Sequence, residues 1–340
     1  MDRTMIPVKR TLLLDDSRSS VYKAAKIIRQ GGLVAFPTET VYGLGASAAD
    51  ADAVKKIFTA KGRPPDNPLI VHISKKNQLA DVARSIPDVA GELIDKFWPG
   101  PLSLVLQRSE NIPPVVSAGL STVAVRMPDH QVALDLISFS GGPIAAPSAN
   151  RSGRPSPTSY RHVLEDLSGR IDAVIRSSVC VIGVESTVLD LTGSQPCILR
   201  PGGLSREDLE AALGCPVSLA GPGGGLDLPA SPGMKYRHYS PSAPLILVVG
   251  PVGRRKQLVN FLVYRYQRKG FTVGLLNLSS QGSLKWEVDP EQFAAHLYRL
   301  LRRLDEEGAG VILAEEIETE GLGLAVMNRL RKAASRVIRV

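Results

Sequence analysis

The chain has 340 residues, 44% hydrophobic and 22% charged, with a net charge of +8; that length allows two domains, and the composition excludes a disordered or fibrous protein. Its three cysteines, Cys180, Cys197 and Cys215, stand too far apart for a CxxC metal or redox motif, as expected of a protein kept in a reducing cytosol. No apolar run reaches the length of a membrane span, and the N-terminal MDRTMIPVKRTLLLDD is a poor signal peptide, so a cytoplasmic protein without membrane contact is expected.

In chain order, Leu12–Leu14 predicts a first strand and Val21–Ile28 an amphipathic helix. Leu33–Phe36, between a Gly pair and Pro37, predicts a buried strand. Thr38, Glu39, Thr40 and Tyr42 crowd polar groups at its end, just before Gly43 and Gly45. The spacing of Ala53, Ile57, Phe58 and Ala60 predicts a helix ending in Lys61-Gly62-Arg63-Pro64-Pro65, and Leu69–Val71 is a further strand carrying His72. This reads as a βαβ layout with Thr40, Lys61, Arg63, Asn67 and His72 on loops or strand ends, where open α/β sheets bind ligands. Helical spacing over Gln78–Phe97 is interrupted at Pro87. Strands follow at Leu102–Leu106, Thr122–Arg126, Pro143–Pro147, Ala173–Ile175, Ser186–Leu191 and Ile198–Arg200. Many short strands mixed with a few helices predict a twisted open α/β sheet.

The composition changes at Ala220, where Gly221-Pro222-Gly223-Gly224-Gly225 forms a break. From Leu245 strands and helices alternate: strand LILVV, helix Gln257–Lys269, strand Phe271–Leu276, helix Glu291–Glu307, strand Gly310–Ala314 and a last helix Gly323–Ala334. The expected organisation is a catalytic domain over 1–220, a linker or lid over 221–243, and a smaller parallel-sheet, Rossmann-like domain over 244–340. No GxGxxG follows the first strand of that second domain, so nothing in it points to a dinucleotide.

Several constellations offer chemistry. Thr122 and Arg126 lie four apart on one strand and share a face. Pro147-Ser148-Ala149-Asn150-Arg151-Ser152-Gly153 is a loop of small polar residues whose backbone N–H groups can approach an anion. Glu185-Ser186-Thr187 sets two hydroxyls at a strand start, and Arg200 stands in ILRPGG. The residues alone describe a pocket of hydroxyls, one His and several Arg and Lys, suited to a triphosphate and a small polar co-substrate. There is no GxSxG elbow and no Cys–His signature, hence no activated nucleophile.

FPTETVYGLG with KGRPPDNPLIVHI, followed by SAN with SGRPSPT, STVLDL and ILRPGG, resembles the YrdC-like family of threonylcarbamoyl-AMP synthases. The resemblance covers roughly residues 20–205. It continues through SPGMKYRHYSP to GLGLAVMNRLRKAAS, as in the long, two-domain form. It implies that L-threonine, bicarbonate and ATP are joined into threonylcarbamoyl-adenylate with release of pyrophosphate. The product then passes to the machinery that modifies adenosine 37 of tRNA. By family correspondence Thr40, His72, Arg126, Ala146 and Ser186 line the threonine site. Arg63, Asn67, Thr122, Ser148, Ser156, Arg200 and Tyr236 bind ATP, and Lys61 is a second cation on the phosphates. Lys61 and Arg63 are expected to be exposed loop cations whose loss does not unfold the protein. With no metal-ligand spacing among Asp, Glu and His, Mg²⁺ is expected to ride on the phosphates. Ser231–Pro241 is expected to close over the pocket as a lid, Tyr236 reaching the nucleotide and Lys235 or Arg237 a phosphate.

Two other readings stand beside this one. The first is a double-stranded RNA or tRNA-binding module without catalysis, since the mild basic excess leaves a weak tRNA contact open. Against it, aromatics are only 5%, and neither an RNP-like aromatic strand nor a Lys/Arg cluster appears. The second is a carbamoyltransferase, whose larger relatives carry acylphosphatase and zinc-finger parts that this chain lacks.

Overall fold

The structure is a computed structural model and describes residues 10–221, 239–276 and 290–340. The chain falls into two compact units, residues 1–152 with 156–235 and residues 153–155 with 236–340.

The first unit runs β1 (Leu12–Leu14), α1 (Arg18–Arg29), β2 (Val34–Phe36), β3 (Gly43–Ser47), α2 (Ala51–Lys61) and β4 (Ile70–His72). Then come α3 (Leu79–Val82), β5 (Ala83–Arg84), α4 (Asp88–Phe97), β6 (Leu102–Arg108), β7 (Thr122–Arg126) and α5 (Gln131–Ser140). It closes with β8 (Ile144–Ala146), α6 (Tyr160–Leu167), β9 (Ala173–Ile175), β10 (Thr187–Asp190), β11 (Cys197–Arg200), α7 (Arg206–Leu213) and β12 (Ser218–Leu219). The strands form one mixed sheet in the order β1-β9-β2-β3-β8-β4-β7-β6-β10-β11-β12, with β5 pairing β6 outside that path. Local signals set the helix ends. Asp50 caps α2 by accepting from the N–H groups of Asp52 and Ala53, both at 3.0 Å, and Gly62 ends it in the left-handed conformation (φ 62°).

The βαβ layout is corrected by β3. It pairs antiparallel with β2 (Val34↔Gly45, Phe36↔Gly43), and α2 leads from it. After the helix, β4 pairs with β7 and β8 and not with β2. GLGAS lacks the β-branched and aromatic residues that mark a strand; its glycines are there for space. A Cβ at Gly45 would stand 2.7 Å from Cγ2 of Ile144 and 2.9 Å from the Phe36 ring. Helices α5, α6 and α7 add to the expected elements, and Gln78–Phe97 is helical chiefly beyond Pro87.

Strand alternation gives the sheet two different faces. On one, Ala35, Leu44, Val71, Leu104 and Val125 pack against Ile57 and Phe58 of α2, Leu93 and Ile94 of α4, Val163 and Leu167 of α6, and Leu209 of α7. On the other, Val34, Phe36, Ile144 and Ala146 are covered by Val21, Ala24, Ala25 and Ile28 of α1 and by Ala133, Leu136 and Ile137 of α5. Further along that second face, Ile70, Val105, Ala124 and Val188 form a separate cluster with no helical residue in it. Arg126, His72, Ser103 and Ser186 are among the buried polar side chains on or beside this helix-free half.

The second unit contains β13 (Leu245–Val249), α8 (Val252–Gln267), β14 (Val273–Leu276), α9 (Pro290–Glu306), β15 (Val311–Glu315), α10 (Gly323–Ala333) and β16 (Arg336–Arg339). All four strands are parallel, in the order β14-β15-β13-β16. Central β13 and β15 are buried along their whole length, and so read as continuous apolar runs. Strand β16 extends the expected alternation by one element. Of the lid segment, residues 231–238, with Lys235, Tyr236 and Arg237, lie outside the described residues. Tyr239 belongs to the second unit and stacks on Tyr298, ring centroids 5.4 Å apart.

Candidate functional site

The register of β4, β7 and β8 assembles the first group. His72 stands opposite Arg126 on one side and Ile144 on the other, while Ile70 stands opposite Ala124 and Ala146. His72, Arg126 and Ala146 therefore share the helix-free face or its border. Thr40 reaches the group from the turn after β2. Arg126 donates from Nη1 to Thr40 Oγ1 at 2.9 Å and from Nε to the Gly100 carbonyl at 3.1 Å. Its Nη2 lies 2.5 Å from Oε1 of Glu39, and both side chains are almost fully buried. Thr38 and Thr40 share a hydroxyl–hydroxyl bond of 2.8 Å. Of its five guanidinium N–H donors two make hydrogen bonds, while Nη2 meets Glu39 only as a close ion pair and has no hydrogen-bond partner, so its two N–H groups can take a further acceptor.

His72 is buried edge-on against the Phe36 ring, 6.0 Å between centroids, and its Nδ1 donates to the Ile70 carbonyl at 3.1 Å. Burial, reinforced by the Arg126 charge, pushes its pKa down to about 3, so the ring is neutral and serves as a hydrogen-bonding group rather than a cation. Ala146 contributes smallness. A Cβ added to neighbouring Gly43 would lie 3.0 Å from the Phe36 ring and 3.5 Å from the Ala146 methyl.

Ser186 and Arg200 form a second group. Arg200 donates from Nη2 to the Ser186 carbonyl (2.9 Å) and hydroxyl (3.1 Å). Ser186 Oγ is 2.8 Å from Ser103 Oγ. Ser103 lies on β6, one residue before the Leu104↔Val125 pair, abreast of Arg126, and so links the two groups. The chain beyond Arg200 packs closely here. A Cβ on Gly202 would fall 2.3 Å from the Glu185 carbonyl oxygen, so this position of ILRPGG must be glycine.

The third group surrounds the loop after β8. Lys61 is 3% exposed, and its Nζ donates to the carbonyls of Ser148 (2.5 Å) and Asn150 (2.6 Å). Burial, with Arg63 beside it, pulls its ammonium well below the usual lysine range. Ser148 Oγ donates to Asn150 Oδ1 at 2.5 Å, and Ser156 Oγ donates to Glu185 Oε1 at 2.6 Å. Arg63 is 8% exposed and donates to the carbonyls of Asn67 (2.8 Å) and Pro68 (3.0 Å). The reading of Lys61 and Arg63 as exposed loop cations is therefore corrected: Lys61 is the last residue of α2, and both cations hold neighbouring backbone in place. Loss of Lys61 would leave two carbonyls without their donor, so its removal costs stability as well as charge.

Asn67 is fully buried, and neither its amide nitrogen nor its amide oxygen has a hydrogen-bond partner in the structure. Thr122 does not join the Arg126 group. It is half-buried at the opposite end of β7, about 13 Å along the strand, and two residues before the Ile70↔Ala124 pair, abreast of Pro68. That puts it beside Asn67 and Arg63. Tyr236 lies outside the described residues.

Three functional-looking residues escaped the sequence reading of roles: Glu39, Ser103 and Glu185. Ser103 had a signal, as the one hydroxyl in the run Leu102–Leu106, facing the same side as Val105. Glu39 and Glu185 were visible in PTET and ESTV, but their partners, Arg126 and Ser156, lie 87 and 29 residues away. Among the described residues, no group of three or more His, Cys, Asp or Glu is placed to hold a metal ion, and no helix is long and apolar enough to cross a membrane.

Residues 26–202 match the model of the Sua5, YciO and YrdC family, described as "Telomere recombination", and residues 204–335 match "Threonylcarbamoyl-AMP synthase, C-terminal domain". A threonylcarbamoyl-AMP synthase of Pyrococcus abyssi is 52% identical over 93% of this chain and 95% of its own length. One of Bacillus subtilis is 47% identical over 96% of each. The crystal structure of P. abyssi Sua5 complexed with L-threonine superposes with a TM-score of 0.92 at 49% identity, covering 98% of this chain and all of that one. Escherichia coli YciO, 21% identical with a TM-score of 0.51 over 57% of this chain and 94% of its own, shares the fold of the first unit.

Proposed function

The chain belongs to the Sua5, YciO and YrdC family in its long, two-domain form, and on that premise we propose that it is a threonylcarbamoyl-AMP synthase, a nucleotidyltransferase. It joins L-threonine, bicarbonate and ATP and releases pyrophosphate. The observation that carries this reading is the buried group in which Arg126 is hydrogen-bonded to Thr40 and ion-paired with Glu39, beside the neutral His72. A guanidinium with two spare N–H groups next to a hydroxyl suits a small hydroxy amino acid: the carboxylate goes to Arg126 and the side-chain hydroxyl to a threonine or serine hydroxyl.

The nucleotide is assigned to the other groups. Arg63 and Arg200 supply positive charge, Lys61 holds the Ser148–Asn150 loop in place, and Ser148 and Ser156 supply hydroxyls. Asn67, whose buried amide has no protein partner, and Thr122 take the remaining polar contacts. The threonine amine captures bicarbonate as a carbamate, whose oxygen attacks the α-phosphorus as pyrophosphate leaves. Such chemistry needs positioning and charge neutralisation rather than an enzyme nucleophile. Mg²⁺ accompanying ATP would be bound chiefly by phosphate oxygens, since the described residues offer it no carboxylate cluster. The product is handed to the tRNA-modifying machinery, and the protein works in the cytoplasm.

The test is mass spectrometry and pyrophosphate release with ATP, bicarbonate and a panel of amino acids. Threonine should give threonylcarbamoyl-adenylate, serine much less, and valine less again, because a site that hydrogen-bonds a hydroxyl strongly rejects its isostere. Equal turnover of valine, or pyrophosphate release that needs no amino acid, would overturn the reading.

A further inference from the structure

Outside the site, the outer face of α8 in the second unit has features that its fold does not need. From Pro251 to Thr272 the sequence carries six Lys or Arg and no Asp or Glu. Arg255 is used internally, donating to the Gly250 carbonyl at 2.9 Å and lying 3.6 Å from Glu316. The other five, Arg254, Lys256, Arg265, Arg268 and Lys269, have no ion-pair partner among the described residues. Arg254, Phe261, Arg265 and Arg268 stand at i, i+7, i+11 and i+14, one stripe about 21 Å long. Beside it Tyr264 is 59% exposed, and Phe261 is 54% exposed. The Arg268 guanidinium lies 5.8 Å from the Tyr264 ring centroid.

Packing accounts for none of this, and helix stability for only part of it: Arg265, Arg268 and Lys269 suit the negative end of the helix dipole. The apolar face of α8, with Leu258, Val259, Leu262, Val263 and Tyr266, already packs into the core with Ile246, Val248 and Leu313. Cations in the first turn, with no acidic residue there, oppose the positive end of the helix dipole. An external polyanion would offset both the self-repulsion and the unfavourable dipole.

We propose that this face binds single-stranded RNA, the arginines meeting phosphates and Phe261 and Tyr264 stacking on unpaired bases. Duplex RNA fits less well, because its bases are already stacked out of reach of exposed rings. An anionic membrane would need the apolar face that the core already occupies. Arg254-Arg255-Lys256 are adjacent in the sequence, and the helix brings Arg265 and Arg268, 11 and 14 positions beyond Arg254, onto the same stripe.

The experiment uses the full chain, fluorescence anisotropy with a labelled, unstructured 12-nucleotide RNA, and a salt series. The triple variant Arg254→Ala/Arg265→Ala/Arg268→Ala should bind at least 30-fold more weakly, with the slope of log affinity against log salt shallower by about 2, from ~0.7 per lost phosphate contact. Phe261→Ala/Tyr264→Ala should weaken binding at least fivefold without changing the slope. Both variants should keep wild-type pyrophosphate release, which reports an intact first unit, and a wild-type circular dichroism spectrum. Unchanged RNA affinity in both variants, duplex bound as tightly as the single strand, or variant-sensitive binding to anionic vesicles with none to RNA would overturn the proposal.

Discussion

The second face of the large sheet is divided into halves that the same strands build differently. Over β9-β2-β3-β8 it is covered by α1 and α5 and lined by Val34, Phe36, Ile144 and Ala146. Over β4-β7-β6-β10 no helix packs on it, and Arg126, His72, Ser103 and Ser186 are buried there instead, around a small floor of Ile70, Val105, Ala124 and Val188. Covering a strand with a helix removes apolar surface from water and leaves no room for a ligand. Leaving it uncovered obliges the buried polar groups to pair with one another, as Arg126 does with Thr40 by a hydrogen bond and with Glu39 by charge, while Arg126 Nη2 and the Glu39 oxygens are left without a hydrogen bond in the protein. The first half is built for stability, and the second spends stability on preorganised donors.

The sharpest way to break this contrast is Arg126→Ala. It leaves Glu39 buried without its counter-ion, and removing one partner of a buried pair costs about 3–5 kcal/mol. Urea denaturation should show a loss of that size together with abolished adenylate formation. Arg126→Met/Glu39→Gln should recover much of the stability and none of the activity. Full activity in the stabilised double variant would end the assignment of Arg126 to the site.

In the covered half, Ile28→Ala should behave in the opposite way. Ile28 is 1% exposed, and truncating a buried isoleucine costs about 2–5 kcal/mol. The lower urea midpoint should come with unchanged KM for ATP and threonine, measured where the variant remains folded. A large rise in either KM would mean that the two halves are not separate in function.

His72 ties the contrast to pH. Its folded pKa of about 3 lies below the ordinary 6.5, so in that window the unfolded chain binds a proton that the native protein does not. Stability is therefore greatest above pH 6.5 and falls as the pH drops towards 3, by at most about 1.4 kcal/mol per pH unit from this group. Between pH 7 and pH 5.5 the wild type should lose about 1 kcal/mol more than His72→Gln. Parallel losses in the two proteins would show that His72 is protonated in the folded state.

The smallest effect on stability is expected at Asn67. Since its buried amide makes no hydrogen bond in the protein, Asn67→Leu should leave the urea midpoint unchanged or raise it by up to about 1 kcal/mol. The KM for ATP should nevertheless rise at least tenfold. A loss of stability comparable to that of Ile28→Ala would make Asn67 a structural residue.

The sequence by itself determined a good deal. Short apolar runs between turn residues gave the strands at Ala173–Ile175 and Leu245–Val249, because burial on both faces demands unbroken apolar residues; the run Leu12–Leu14 also marked a strand, though it lies at the sheet edge with Leu12 and Leu13 exposed. Gly62 marked the end of α2, where it takes the left-handed conformation that closes the helix. FPTETVYGLG, SAN, STVLDL and ILRPGG gave the family, because backbone that must closely approach a ligand or another segment tolerates few residue types, as Gly202 shows. What needed the tertiary structure was everything set by distant partners. GLGAS becomes β3 only because β2 and β8 lie on either side of it. Lys61 is buried only because the carbonyls of Ser148 and Asn150, 87 and 89 residues away, surround its ammonium. Glu39 acquires a role only when sheet register brings Arg126 to it. Local sequence specifies conformation through short-range sterics and hydrogen bonds, whereas burial and charge pairing are properties of what the rest of the chain places alongside.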